Sequence, residues 1–384
     1  MNINDIKTPA YVCYLPKLIR NLEILKNVGD ESGAKVLCAL KGFAFSLAMP
    51  YVDKYLWGAT CSGLHEAKFA KEFIKNGEIH TYSPAFKYED FDEIMQISNH
   101  IVFNSPNQIL KFKQIALDKG IELGLRINPE SSFSPKDIYN PCAKFSRLGT
   151  TKANLLKALK EDKSLLDGIS GLHFHALCEE SSQSLKKVLN KFKADFGEFI
   201  HGVKWVNFGG GHHITKKGYD IKLLINLIKE FRDEFGVDVY LEPGEAVGWE
   251  CGDLISSVLD IVENEKNIVI LDTSAEAHMP DTVLMPYRPA VVGEKKSAKF
   301  EYKFGGNTCL AGDIVGLEEG DADYRFDKPL KVGDRVIFKD QIHYTIVKNT
   351  TFNGIKLPDL VLVDENGDVI KKIEFGYEEY RRRN

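Results

Sequence analysis

The sequence predicts an α/β protein: a (β/α)8 barrel followed by a mostly antiparallel β domain. Three observations predict it. Short apolar runs recur at residues 36–40, 56–60, 79–82, 101–103, 123–127, 169–175, 205–208 and 237–241. Helical patterns fill the gaps between them, and about eight strand–helix units in series is the signature of a closed barrel. After Gly244 the rhythm changes to strand-like runs at 254–261, 268–272, 300–304, 332–338, 344–347, 360–363 and 369–373, with no helical pattern between them. A doubly wound open sheet is the alternative for the first part. The expected division is a barrel over residues 15–245 and a β domain over 246–384, joined by a strand from residues 1–14.

Taken in order, Thr8-Pro9-Ala10-Tyr11-Val12-Cys13-Tyr14 reads as an opening strand, and Leu18, Ile19, Leu22 and Leu25 follow at helical spacing. The run Lys35–Leu40 is apolar on both faces, as a strand in a parallel sheet must be, and it ends on Lys41-Gly42. Leu64, Ala67, Ala70 and Ile74 share one helical face. Ser105-Pro106-Asn107-Gln108 is a helix start, with a capping hydroxyl, proline in the first turn and Gln three residues on. Leu223, Leu224, Leu227, Ile228 and Phe231 mark a further helix. In the second part, Leu330-Lys331-Val332-Gly333-Asp334 and Asp364-Glu365-Asn366-Gly367-Asp368 carry hairpin-turn chemistry.

Composition narrows the class of function. With 43% hydrophobic and 27% charged residues, the 384-residue chain has the make-up of an ordinary globular protein. A net charge of −5 gives no electrostatic footprint for nucleic acid. No apolar run is long enough to span a membrane, and no signal peptide is read at the start. Seven scattered cysteines without a Cys-x-x-Cys pair argue for reduced thiols in the cytoplasm and against a zinc ribbon.

In a barrel, the residues at the carboxyl ends of the strands face one shared site. Here they include Lys41, Thr60, Ser83, Asn104, Arg126, His173, His175, Gly209-Gly210-Gly211 and Glu242. A lysine closing a buried strand either reaches out to water or spends its amine on a Schiff base with a carbonyl cofactor. Three glycines in a late barrel loop let backbone amides approach an anion, and otherwise form only a flexible turn. His173 and His175, two apart on a strand, share a face, which suits a metal pair or a ring stacked on a cofactor. Glu242 can pair with a protonated ring nitrogen. Together the four supply what pyridoxal phosphate requires of a protein, and no metal is expected.

These residues resemble the pyridoxal-phosphate decarboxylases that include the ornithine, arginine and diaminopimelate enzymes, and the likeness runs over nearly the whole chain. It implies Lys41 as the lysine that holds the cofactor and His175 as the histidine stacked on its ring. It also implies Gly209, Gly210 and Gly211 as the phosphate loop, Glu242 as the partner of the ring nitrogen, and Tyr344 as a phosphate-binding tyrosine. Gly306-x-Thr308-Cys309, with Asp313, resembles the loop that enters the partner subunit's site in a homodimer, where Cys309 or a nearby acid returns the proton. The departures are Glu242-Pro243-Gly244-Glu245, which lacks the usual phosphate-binding arginine, Thr60 where relatives have aspartate, and Leu310 where an acid often follows the cysteine.

With His173-Phe174-His175-Ala176-Leu177-Cys178-Glu179 and the stretch from Asp272 to Asp281, these features resemble the carboxynorspermidine/carboxyspermidine decarboxylase branch. Its polyamine-type substrate needs acids for a cationic tail, and Asp272, Asp313 and Glu276 are the candidates. The competing expectations are a diaminopimelate- or ornithine-type decarboxylase, a racemase on the same barrel, a metal-dependent barrel hydrolase built on His173 and His175, and a non-catalytic relative.

Overall fold

The computed structural model describes residues 1–133, 137–316 and 323–384. The chain divides into two compact units: residues 21–42 with 49–247, and residues 1–20 with 43–48 and 248–384.

In the first unit eight parallel strands close into a barrel. They are β2 (Lys35–Ala39), β3 (Gly58–Cys61), β4 (Glu78–Tyr82), β5 (His100–Phe103), β6 (Glu122–Arg126), β7 (Ile169–His173), β8 (Trp205–Asn207) and β9 (Asp238–Leu241). Closure is made by β2 against β9, with Lys35 opposite Tyr240. The expected helices form where their periodicity lies. Ser105 Oγ accepts the Gln108 amide at the head of helix Pro106–Leu117. Helix Ile221–Phe235 starts on the Asp220 carboxylate and stops at Gly236, whose φ of 67° lets the chain leave in the left-handed conformation. Inside the barrel the Trp205 indole is the largest filler. Gly124 and Gly171 make its space, since a Cβ on Gly171 would lie 2.0 Å from the ring.

The second unit is an eight-stranded sheet of β1 (Ala10–Tyr14), β10 (Gly252–Asn264), β11 (Lys266–Leu271), β12 (Phe300–Gly305), β13 (Tyr324–Phe326), β14 (Arg335–Phe338), β15 (Asp359–Val363) and β16 (Val369–Ile373). Most pairings are antiparallel; β1 with β15 and β11 with β12 are parallel. Ile6, Ala10, Val12, Ile255, Val361 and Val363 form its core.

Three local expectations are corrected. Residues 344–347 are not a strand: Tyr344 has φ 30° and leads into the helical turn Thr345–Lys348. Thr345 and Ile346 are buried while Val347 and Lys348 are exposed, and four residues are too few to separate a period of 2 from one of 3.6. The run at 332–338 yields a strand only from Arg335, because Gly333 at φ 90° and the Asp334 side chain, which accepts the Lys331 amide, bend what precedes it into a turn. Short helices at Ala275–His278, Asp281–Leu284 and Tyr377–Arg383 stand where only strands were expected.

Candidate active site

The barrel brings the strand-end residues to its carboxyl face. Lys41 follows β2 directly, and the turn that carries it is pinned on both sides: the Leu40 amide donates to the Thr60 carbonyl and the Gly42 amide to Ala39. Gly42 lies so close to Gly244 that a Cβ there would be 3.0 Å from the Gly244 Cα. Lys41 is reached by solvent, yet protein atoms surround it. That enclosure, with the charge of Arg126, pushes its ammonium pKa below the ordinary lysine value, while Glu242 and Glu66 act in the opposite sense. The amine is thus favoured in its nucleophilic form.

His175 lies just past β7. Its Nδ1 accepts the Gly210 amide at 2.9 Å, which places the proton of the neutral ring on Nε2. Burial and the charges of Lys41 and Arg126 push its pKa well below 6.5, so the ring is neutral near pH 7. A neutral ring fixed by a backbone amide is suited to stacking on a flat cofactor.

Glu242, after β9, receives the Asn207 side-chain amide at 2.8 Å, and His173 Nε2 lies 3.4 Å from its other oxygen. Burial alone would raise its pKa, but His173 and Asn207 outweigh it and hold the carboxyl at about 2. Glu242 is therefore an anion in an enclosed site, able to hold a proton on a ring nitrogen facing it. Burial pushes the His173 pKa below 6.5, and the Glu242 carboxylate beside it acts in the opposite sense.

The glycine loop is a cradle that side chains would fill. A Cβ on Gly209 would lie 2.4 Å from the Phe174 carbonyl, one on Gly210 2.3 Å from that of Glu242, and one on Gly211 2.1 Å from that of Leu177. Gly209 and Gly211 also have φ of 70° and 80°. The Gly209 and Gly210 amides are used internally, by Asn207 Oδ1 and His175 Nδ1. Where the resemblance implies an arginine, Glu245 instead faces the His213 ring at 3.1 Å.

Three further contributors join them, of which only Arg126 stood among the strand-end residues read from the sequence. Arg126 is buried, packs its guanidinium 4.6 Å from the Tyr82 ring centre and donates toward the His175 carbonyl at 3.4 Å. Asn207 links the glycine loop to Glu242. His213 is the third. An arginine closing a buried strand was the available signal for the first; no pattern announces the other two.

The remaining predicted residues belong to the sheet unit. Asp313 is buried, and its carboxylate accepts from Ser274 Oγ at 3.0 Å, Ala275 N at 2.7 Å, Thr308 N at 3.2 Å and Thr308 Oγ1 at 2.6 Å. Asp272 accepts from Thr8 Oγ1, Ser256 Oγ and the Ser257 amide. Glu276 differs: its Oε2 is buried without a hydrogen-bond partner among the described residues, and burial together with Asp313 raises its pKa. Cys309 is exposed, with its amide held by Asn353 Oδ1 at 3.1 Å. Tyr344 stands at the head of its helical turn in the positive-φ conformation described above.

Residues 11–341 match the family model described as pyridoxal-dependent decarboxylase, C-terminal sheet domain. The chain is 55% identical over its whole length, and that of its relative, to a carboxynorspermidine/carboxyspermidine decarboxylase of Campylobacter jejuni. It is 39% identical to a carboxyaminopropylagmatine decarboxylase of Synechocystis, covering 99% of this chain and 96% of that one. Among solved structures, the C. jejuni carboxynorspermidine decarboxylase complexed with norspermidine superposes with a TM-score of 0.89 at 54% identity, covering 99% of this chain and 100% of that one. An enclosed lysine, a neutral histidine fixed by a backbone amide, an ionised glutamate and a glycine cradle, on a chain matched end to end, place this protein in the family of pyridoxal-phosphate-dependent decarboxylases.

Proposed function

We propose that the chain decarboxylates carboxynorspermidine and carboxyspermidine to norspermidine and spermidine, as a step of polyamine biosynthesis. The 55% identity along the full length to the C. jejuni enzyme carries this reading. The site fits pyridoxal phosphate on its own residues: the cradle at Gly209–211 is filled by any side chain, and Lys41 stands near an anion at Glu242. When bound, the cofactor supplies an electron sink for the pair left behind as carbon dioxide departs.

The protein's own groups do the rest. Lys41 holds the cofactor through its amine, His175 packs on the ring, and Glu242 keeps a proton on the ring nitrogen. The phosphate falls to Gly209, Gly210 and Gly211, with Tyr344. Since the first two amides already have internal acceptors, Gly211 is the glycine with an amide to offer among the described residues. Cys309 returns a proton to the substrate α-carbon, and does so in the partner's site of a homodimer. Of the three acids, Glu276 is best suited to a cationic tail, because Asp272 and Asp313 already spend their oxygens on internal donors. We assign the cofactor to a barrel domain of residues 15–245, with residues 246–384 and 1–14 as the second domain, working in the cytoplasm.

The test is carbon dioxide release by the cofactor-loaded protein. Carboxynorspermidine, carboxyspermidine, carboxyaminopropylagmatine, meso-diaminopimelate and ornithine are offered in parallel. Release mainly from the first two is expected. Preference for the agmatine derivative moves the substrate toward that of the Synechocystis relative, and preference for diaminopimelate or ornithine overturns the polyamine reading.

A further inference from the structure

A second cluster of chemistry-bearing side chains lies inside the barrel at the amino-terminal ends of the strands, away from Lys41. Glu78 and His80 are two apart on β4 and so share its inward face. His100 opens β5, and the strand register sets it directly beside His80. The two imidazoles stack with centres 3.9 Å apart and 13° between their planes. His80 Nε2 is 2.9 Å, and His100 Nε2 3.8 Å, from the same Glu78 oxygen.

We propose that Glu78, His80 and His100 form a binding site for one divalent transition-metal ion of the zinc class. Each offers one ligand atom, and the three atoms lie within 4.8 Å of one another. Two imidazoles and a carboxylate are a donor set that such ions take, with water in the open position. Bonds of about 2.0–2.2 Å require the three atoms to draw closer: the partly exposed Glu78 side chain can rotate, and the two rings must turn out of their parallel stack so that both lone pairs point at one ion. That exposure is also the entry path, since the histidine side chains are almost wholly enclosed.

Among the described residues His80 Nδ1 and His100 Nδ1 have no hydrogen-bond partner, but it is the Nε2 atoms that meet Glu78 and would carry the ion. Trp205 and Tyr240 flank the rings, and Gly124 and Gly171 admit the Trp205 indole.

The charges facing the cluster set its competition. Lys35 on β2 lies 3.7 Å from Glu78 and 3.1 Å from Asp238, and the Tyr240 hydroxyl donates to Glu78 at 2.9 Å. Glu122 and Lys204 pair with each other nearby on the same end. The Lys35 ammonium competes with a cation for the Glu78 carboxylate, so removing it should tighten binding.

The experiment uses tag-free holoenzyme, stripped with a chelator and titrated with Zn²⁺ by calorimetry and with Co²⁺ by visible absorbance. One saturable site per chain is expected, with nitrogen and oxygen ligation and no thiolate charge-transfer band. His100→Asn should weaken it by about tenfold or more, and Lys35→Met should strengthen it. Glu78→Gln serves if the His100 variant does not fold. Absence of a saturable site in the wild-type protein overturns the proposal. So does a site that survives in both His100→Asn and Glu78→Gln, or one with a thiolate band, which would place the metal on cysteine. Because the cluster is remote from Lys41, cofactor absorbance and carbon dioxide release report independently on the reading above.

Discussion

Replacing Asp313 by Asn separates a structural acid from a substrate-binding one. One carboxylate oxygen faces Ser274 Oγ and the Ala275 amide, and the other faces the Thr308 amide and hydroxyl. An asparagine side chain has one oxygen, so its NH2 must face one of these pairs. Turned toward Thr308, it can use the hydroxyl as acceptor but leaves the Thr308 amide facing another donor. An orphaned buried donor costs about 1–3 kcal/mol, and the surviving contacts lose their charge assistance. The sum is about 3 kcal/mol, or about 6–12 °C of melting temperature for a unit of this size. Differential scanning calorimetry of wild type and Asp313→Asn at one cofactor concentration reads it. Gly306→Ala should reproduce the loss, because its Cβ would lie 2.1 Å from Asp313 Oδ2. An unchanged melting temperature with a tenfold higher KM for the carboxy-polyamine would refute this reasoning and make Asp313 a tail-binding group.

Other outcomes follow from the barrel site. Gly210→Ala puts a Cβ 2.3 Å from the Glu242 carbonyl and disturbs the amide that holds His175, so cofactor retention on dialysis, followed by absorbance, should fall at least about tenfold. Lys41 has a lowered pKa, so its neutral amine persists to lower pH than that of a free lysine. Its labelling by a small amine-directed reagent in cofactor-free protein should therefore reach half-maximum below pH 10.5, as peptide mass mapping would show; a midpoint at or above that of surface lysines would contradict the assignment. Cys309→Ala should lower turnover at unchanged cofactor absorbance. Mixing it with Lys41→Ala should restore about a quarter of wild-type activity if each site draws on both subunits, since random pairing gives half mixed dimers with one intact site each. No recovery on verified exchange would place Cys309 outside the partner's site.

The sequence by itself determined the elements whose causes are local. Alternation of apolar runs with helical faces yields the barrel, because each βα unit buries its own stripe wherever it stands. Ser105-Pro106 and Asp220 start helices through contacts three residues away. Lys41, His175, Glu242 and the three glycines stand out as candidates because each is unusual where it stands, at the end of an apolar strand. Residues 344–347 misread because a four-residue stretch does not reveal its period.

Tertiary structure decided everything that depends on which distant segments meet. That Gly210 fixes the His175 tautomer, that Asn207 ties the loop to Glu242, and that Glu245 faces His213 follow from loops of separate strands converging at one barrel end. Asp272, Asp313 and Glu276 look alike as acids in sequence. Folding gives the first two internal donors and leaves an oxygen of the third without a partner among the described residues. The pairing of His80 with His100 likewise exists only through the register of β4 on β5. Register is set by the closure of the whole barrel, and no stretch of twenty residues contains that information.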